Sequence, residues 1–299
     1  MAAEITGEHR DDESTWPVLA DQHVNAYLAR IYADRQDRPT LEALRHLQER
    51  HVLSVPFETV AFYTGEPVPL MLGAVRKIVE QRRGGCCLEL NSAFGMLLTA
   101  LGYQVELLAG RVYRNSVLDR SIGHLALRVT VPLSGEDRGP WLVDVGQGNN
   151  SRHPLRIDLR EAQPDPHGVY LLAGASHGDI DVSLDGTLLH RMETRPRDLE
   201  FARPLLWWYR TSPRSPFAAG PTSISRTENG KFTLRGNELT EENGGKRVVR
   251  RLDGDGPLLR TYLEYFGIEL DRVPAYWDAV RNRPGPADHV PAARSSSPS

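Results

Sequence analysis

The chain has 299 residues, of which 40% are hydrophobic and 25% charged, and it carries a formal net charge of −3. That composition supplies a substantial core and leaves no polybasic footprint for nucleic acid or an anionic membrane. No apolar run approaches the roughly 20 residues of a membrane-spanning helix, no internal repeat recurs, and two adjacent cysteines cannot build a disulfide framework.

Residues 1–16 are polar and acidic without an apolar signal segment, so no fixed structure is expected there and a reducing cytoplasm is the expected compartment. Helical patterns fill 17–102, and near their end comes the run Arg83-Gly84-Gly85-Cys86-Cys87-Leu88-Glu89-Leu90-Asn91. From Cys87 the apolar residues fall at Leu90, Phe94, Leu97, Leu98 and Leu101. This spacing predicts an amphipathic helix that stops at Gly102. Cys87 then sits at the helix N-terminus on its buried face, where free N–H groups and the helix dipole lower a thiol pKa from about 8.5. Cys86 points roughly 100° away from that stripe.

Short alternating strands with turn residues between them are expected over 103–200. In His124–Val131, Leu125, Leu127, Val129 and Val131 share one face and His124 lies on the other. In 141–145, Trp141, Val143 and Val145 share a face and Asp144 opposes them. An antiparallel hairpin that sets His124 opposite Asp144 would also set Leu125 opposite Val143 and Leu127 opposite Trp141. A mixed strand and helix region is expected over 201–281, and the Pro-, Ala- and Ser-rich segment 282–299 is expected to be disordered. This order of elements gives an α+β fold class.

Cys87, His124 and Asp144 together supply a nucleophile, a base to hold its proton and a carboxylate to fix the imidazole tautomer. Each alone is more often a core thiol, a sheet histidine or a turn aspartate; the three together point to covalent catalysis. Paired metal-ligand spacings such as His-Glu-x-x-His or Cys-x-x-Cys are absent from the sequence, so no metal is expected. The glycines before Cys87 lack the Lys-Ser/Thr ending of a phosphate-binding loop.

The pattern Arg-Gly-Gly-x-Cys-x-Glu-x-Asn at 83–91, the later strand histidine and Val143-Asp144-Val145-Gly146 resemble the arylamine N-acetyltransferases. Val55-Pro-Phe-Glu58 upstream, and Ser215-Pro-Phe217 and Phe266-Gly-Ile268 downstream, extend the resemblance over about residues 20–270. The resemblance implies an N-terminal helical bundle, a central antiparallel β-barrel-like domain, a C-terminal mixed α/β lid and a triad arranged as in cysteine proteases. It implies ping-pong transfer of an acetyl group from acetyl-CoA, a departing substrate rather than a resident cofactor, to an aromatic amine or hydrazine through a Cys87 thioester. It also implies a buried Arg83–Glu58 ion pair and an amine pocket around Phe57, Val112, Gln147 and Phe217.

The chain departs from that pattern at Gln147, where the family often has an aromatic residue, and at Thr59, where Asn is common. The segment before Ser215 also lacks the family's usual histidine. Two alternatives therefore stand beside acetyl transfer. An amide synthase of the ansamycin type would move a polyketide chain from an acyl carrier protein onto an aromatic amine. A cysteine peptidase or transglutaminase would use the same Cys, His, Asp order on peptides.

Overall fold

The computed structural model describes residues 16–132, 135–212 and 214–274; of the segments 1–16 and 282–299, expected to be loose, all but Trp16 lie outside the described residues. Trp16 does not belong with the first of them. It is buried, donates its indole N–H to the Val105 carbonyl at 2.9 Å and packs so closely on Gly95 that a Cβ there would fall 2.6 Å from the ring.

The helical part comprises α1 (Asp21–Arg30), α2 (Leu41–Ser54), α3 (Ala61–Thr64), α4 (Leu72–Val79) and α5 (Cys87–Ala100), with the two-residue strand β1 (Phe57–Glu58) between α2 and α3. Thr40 caps α2 by accepting from the Ala43 N–H at 3.1 Å. The amphipathic expectation for α5 is corrected: every residue from Cys87 to Leu98 is buried. Helices α1 and α4 cover one side of it and strands the other, so its polar residues must find partners inside the protein.

The strands that cover α5 belong to β2 (Gln104–Arg114), β3 (Val117–Leu118), β4 (His124–Thr130), β5 (Trp141–Val143), β6 (Leu155–Arg156), β7 (Gln163–Asp165), β8 (Gly168–Gly174), β9 (Ile180–Leu184) and β10 (Thr187–Met192). Among the described residues they run antiparallel in the order β6-β5-β4-β2-β10-β9-β8-β7, with β3 attached to β2. The two end strands meet through a side chain. Gln163 on β7 accepts from the Arg156 N–H at 2.7 Å and donates to the Arg156 carbonyl at 2.9 Å. The sheet is therefore a nearly closed barrel in a mixed α/β fold.

Both faces of the central strands are buried, which is why their alternation reads as apolar almost throughout. Leu108, Ala126, Leu142, Leu172 and Val182 fill the barrel, while Leu107, Leu125, Leu127 and Val143 point outward into the core shared with the helices.

After α6 (Arg203–Thr211), strands β11 (Thr222–Thr227), β12 (Gly230–Arg235), β13 (Glu238–Asn243) and β14 (Lys246–Arg251) form a second antiparallel sheet backed by α7 (Asp255–Phe266). Strand β1 is its edge, with Phe57 opposite Ile224 and Glu58 opposite Ser223. The helical segment thus reaches across into the C-terminal sheet beside the cysteine loop, where Phe57 bridges Gly85.

Candidate active site

The loop before α5 is held by charge inside the protein. Arg83 donates to Glu58 Oε1 at 2.8 Å and also pairs with Glu66 at 3.1 Å. Lys77 adds a second buried cation, 3.2 Å from Glu58 and 2.8 Å from Glu89. The other Glu58 oxygen accepts from the Val60 N–H at 2.7 Å, so no charge in the group is left without partners. Burial works to raise the Glu58 pKa, but Lys77 and Arg83 outweigh it and hold the carboxyl below its ordinary range. Gly84 lets the loop pass this close: a Cβ there would fall 1.8 Å from the Pro56 carbonyl oxygen.

Cys86 is the N-cap of α5, and Glu89 accepts from its backbone N–H at 2.9 Å, a reciprocal end-closure that fixes the first turn. Cys87 follows at the first helical position, 3% exposed. His124 opens β4, and its Nε2 lies 2.7 Å from Asp144 Oδ2, just past the end of β5. The Cys87 thiol and this imidazole line the same cavity and each shifts the other's ionisation, so Cys87 stands beside the bonded His124–Asp144 pair.

The electrostatics follow from this placement. Hydrogen bonding from Cys86 and the neighbouring His124 overcome burial and lower the Cys87 thiol to about 5, while the Cys86 thiol, desolvated and beside it, is pushed well up. Burial disfavours a charged His124, but Asp144 and the Cys87 thiol prevail and raise it to about 10. Burial likewise opposes ionisation of Asp144, and the His124 charge draws it down to about 2. All three shifts run toward the charged forms: thiolate, imidazolium and carboxylate.

The hairpin register differs from the sequence expectation. Leu127 faces Val143 and Val129 faces Trp141, a shift of two residues that leaves His124 beyond the end of β5. A two-residue shift preserves side-chain parity, so His124 and Asp144 still meet, diagonally rather than directly across.

Cys87 and His124 open into a cavity of about 400 Å³ that is also lined by Phe57, Val112, Gln147 and Phe217. Phe217 stacks on Phe62 with ring centroids 5.2 Å apart, and Tyr209 meets it edge-on at 4.7 Å. Arg114 and Arg235 stand at the same cavity, and the Gln147 Oε1 is buried without a hydrogen-bond partner in the protein. Gly146 allows the wall to touch the start of α5, since a Cβ there would fall 2.6 Å from the Cys87 Cα.

A family model described as N-acetyltransferase matches residues 40–274. An arylamine N-acetyltransferase of Mycolicibacterium smegmatis is 34% identical over 261 residues, covering 83% of this chain and 92% of that protein. This chain belongs to the arylamine N-acetyltransferase family, and it is an acyltransferase enzyme. The solved M. smegmatis arylamine N-acetyltransferase superposes with a TM-score of 0.75 at 32% identity, covering 83% of this chain and 92% of that one. The Mycobacterium marinum arylamine N-acetyltransferase, solved in complex with CoA, gives 0.75 at 29% identity, with 82% and 92% covered.

Several residues at this arylamine N-acetyltransferase site were given no role by the sequence reading. Asn91 donates to Asp144 Oδ1 at 2.9 Å and to the Leu125 carbonyl at 2.6 Å, while its own Oδ1 accepts from the Val145 N–H at 3.0 Å. The signal was present: Asn91 lies one helical turn after Cys87, polar in an otherwise apolar run. Lys77, inside the apolar stretch 72–79, carried the same kind of signal. His190 on β10 is another, with its ring centroid 5.0 Å from that of His124. Burial first, then the His124 charge, lower it to about 3, so it stays neutral beside the imidazolium. One ligand atom from each of His124, Asp144 and His190 lies within 4.8 Å of the others, and the first two are already joined by the 2.7 Å hydrogen bond.

Proposed function

We propose that the chain transfers an acetyl group from acetyl-CoA to an aromatic amine or hydrazine in two steps through a Cys87 thioester. The observation that carries this reading is the placement of Cys87 and the Asp144-bonded His124 together on an aromatic-walled cavity. In the first step the Cys87 thiolate adds to the thioester carbonyl, and collapse breaks the carbon–sulfur bond to CoA. The departing CoA sulfur takes its proton from His124. In the second step the amine adds to the acetyl-Cys87 carbonyl and gives a proton to His124. Collapse then releases the amide and restores the thiolate, and the two substrates visit in turn. One thioester exchanges for another nearly isoenergetically, so the acyl group is held without being trapped.

Asp144 keeps the imidazole in one tautomer and stabilises its cation. Phe57, Val112 and Phe217 form the apolar walls for the aryl ring, and Gln147 supplies a polar edge where relatives often carry an aromatic residue. The C-terminal sheet contributes Thr222 and Ile224 to the cavity and acts as its lid. Backbone N–H groups near Cys87 steady the tetrahedral oxyanion. The two M. smegmatis and M. marinum relatives named as arylamine N-acetyltransferases, the latter solved with CoA, support this choice over peptide cleavage.

Incubation with acetyl-CoA followed by intact-protein mass spectrometry tests the proposal. The wild-type chain gains about 42 Da, and both the adduct and amide formation vanish in Cys87→Ser. Peptide cleavage with no acetyl adduct would replace this reading with the peptidase.

A further inference from the structure

A second cavity, of about 520 Å³, opens between the N-terminal helices and the C-terminal sheet, and Arg30, Arg50, Arg82 and Arg226 all line it. None of these four arginines forms an ion pair with another described residue. The acidic side chain at its wall, Glu228, is committed to Arg152 at 2.9 Å. In a chain of net charge −3, four guanidinium groups facing one space without a free carboxylate form a concentrated positive field.

The four are held in different ways. Arg30 is buried and fully occupied by backbone, donating to the carbonyls of Ile78, Ser54 and Arg82 at 3.1, 2.9 and 3.3 Å. It is a fixed charge. Arg50 donates its Nε to the Ile31 carbonyl at 3.2 Å and lies over the ring of Tyr32, 5.7 Å from its centroid. Arg82 is exposed, and the Nε of Arg226 is buried without an acceptor. Asp165 and Glu242, the carboxylates whose charge reaches Arg226, are engaged elsewhere. Asp165 accepts the backbone N–H groups of Arg152, His153 and His167, and Glu242 lies against Lys231. A buried donor with no acceptor among like charges is a cost that an anionic ligand removes.

We propose that this cavity binds a small molecule carrying two or more phosphate groups, recognised by the guanidinium cluster with Tyr32 available to stack on an attached ring. Guanidinium forks match phosphate oxygens in pairs, and a polyanion matches four clustered charges better than a single carboxylate does. Two sources share that chemistry: a free nucleotide or polyphosphate, and the phosphorylated adenosine end of a CoA thioester. The two cavities adjoin along one strand: Thr222 and Ile224 on β11 line the reaction cavity, and Ser225, Arg226 and Thr227 line this one. The binding itself does not rest on the acetyl-transfer reading.

Isothermal titration of the full chain with inorganic tripolyphosphate and with adenosine 3′,5′-bisphosphate, at about 0.15 M salt, tests it. We expect saturable binding of one equivalent, weakened about tenfold or more by Arg50→Gln, Arg82→Gln and Arg226→Gln and unchanged by Arg247→Gln on β14. Should Arg226→Gln fail to fold, the exposed Arg82→Gln carries the comparison. Absence of saturation below about 1 mM, or equal weakening by Arg247→Gln, overturns the site. Acetyl-CoA kinetics then separate the sources. A raised KM at constant kcat in the cavity variants identifies the CoA end, and an unchanged KM with lost tripolyphosphate binding identifies a separate ligand.

Discussion

Asn91 and Asp144 are joined by a 2.9 Å hydrogen bond, so the helix that carries Cys87 also holds the carboxylate that orients His124. Its two oxygens have separate duties: Oδ1 accepts from Asn91 and from the Gly146 N–H at 2.9 Å, and Oδ2 meets the imidazole. Cys87 and Asp144 are thereby placed by one rigid element.

Removing the Asn91 amide leaves Asp144 Oδ1 and two backbone groups short of partners. Asn91→Ala is expected to cost about 1–3 kcal/mol in urea unfolding and to slow Cys87 acetylation. Asp144→Asn, which disturbs the tautomer itself, is expected to lose roughly 10³–10⁴-fold in kcat. Stopped-flow acylation alongside denaturation curves checks both, and equal kinetic losses from the two would show that Asn91 does more than hold the carboxylate.

The depressed Cys87 and elevated His124 values predict a broad plateau for the thiolate–imidazolium pair. Alkylation by iodoacetamide should gain rate as pH rises through about 5, where the thiol ionises, and acetylation should decline as His124 loses its proton near 10. These limbs belong to the pair rather than to either group. Cys86→Ala removes a neighbour that stabilises the thiolate and should move the acid limb upward, whereas Cys86→Ser keeps a donor and should move it less. A limb at the ordinary thiol position in the wild-type protein would refute the ion pair.

Arg83 is nearly enclosed and bonded to Glu58 and Glu66. Arg83→Leu strands the buried Glu58 charge with Lys77 as its remaining cation and should destabilise the fold by about 3–5 kcal/mol. Chemical denaturation measures the loss. A change below about 1 kcal/mol would mean that Lys77 neutralises Glu58 alone.

Gly146→Ala drives a methyl group into the Cys87 backbone. About 1–3 kcal/mol of stability and most of the acylation rate should be lost, because the helix start must yield. Gly65→Ala has open space around it and bears only the positive-φ penalty, so it should leave the rate intact. Thermal melts and adduct formation distinguish the two.

Gln147→Phe replaces an unpartnered amide oxygen at the cavity with an aryl face. Rates across a panel of arylamines should shift toward unsubstituted apolar amines by about tenfold in kcat/KM, with amines bearing hydrogen-bond donors losing ground. Unchanged ratios would remove Gln147 from substrate selection.

Much of this could be read from the residues because local rules governed it. The α5 start at Cys87 followed from apolar spacing, and the shared face of His124 and Asp144 followed from parity, which survives a two-residue register error. The error itself arose because periodicity fixes which face a residue occupies but not which partner stands opposite. The all-round burial of α5 escaped because its polar members, Glu89, Asn91 and Ser92, look solvent-facing until Lys77, Asp144 and the Met71 N–H appear beside them. Likewise the arginine-lined cavity joins residues from 30 to 226, a grouping only tertiary folding creates.

Because protein surrounds α5 on every side, the Cys87 sulfur has a fixed bearing and arriving molecules must adapt to it. The variable part of the cavity is thereby displaced to its other walls, to Gln147 and the turn at 216–220, whose side chains can change shape while α5 stays as it is.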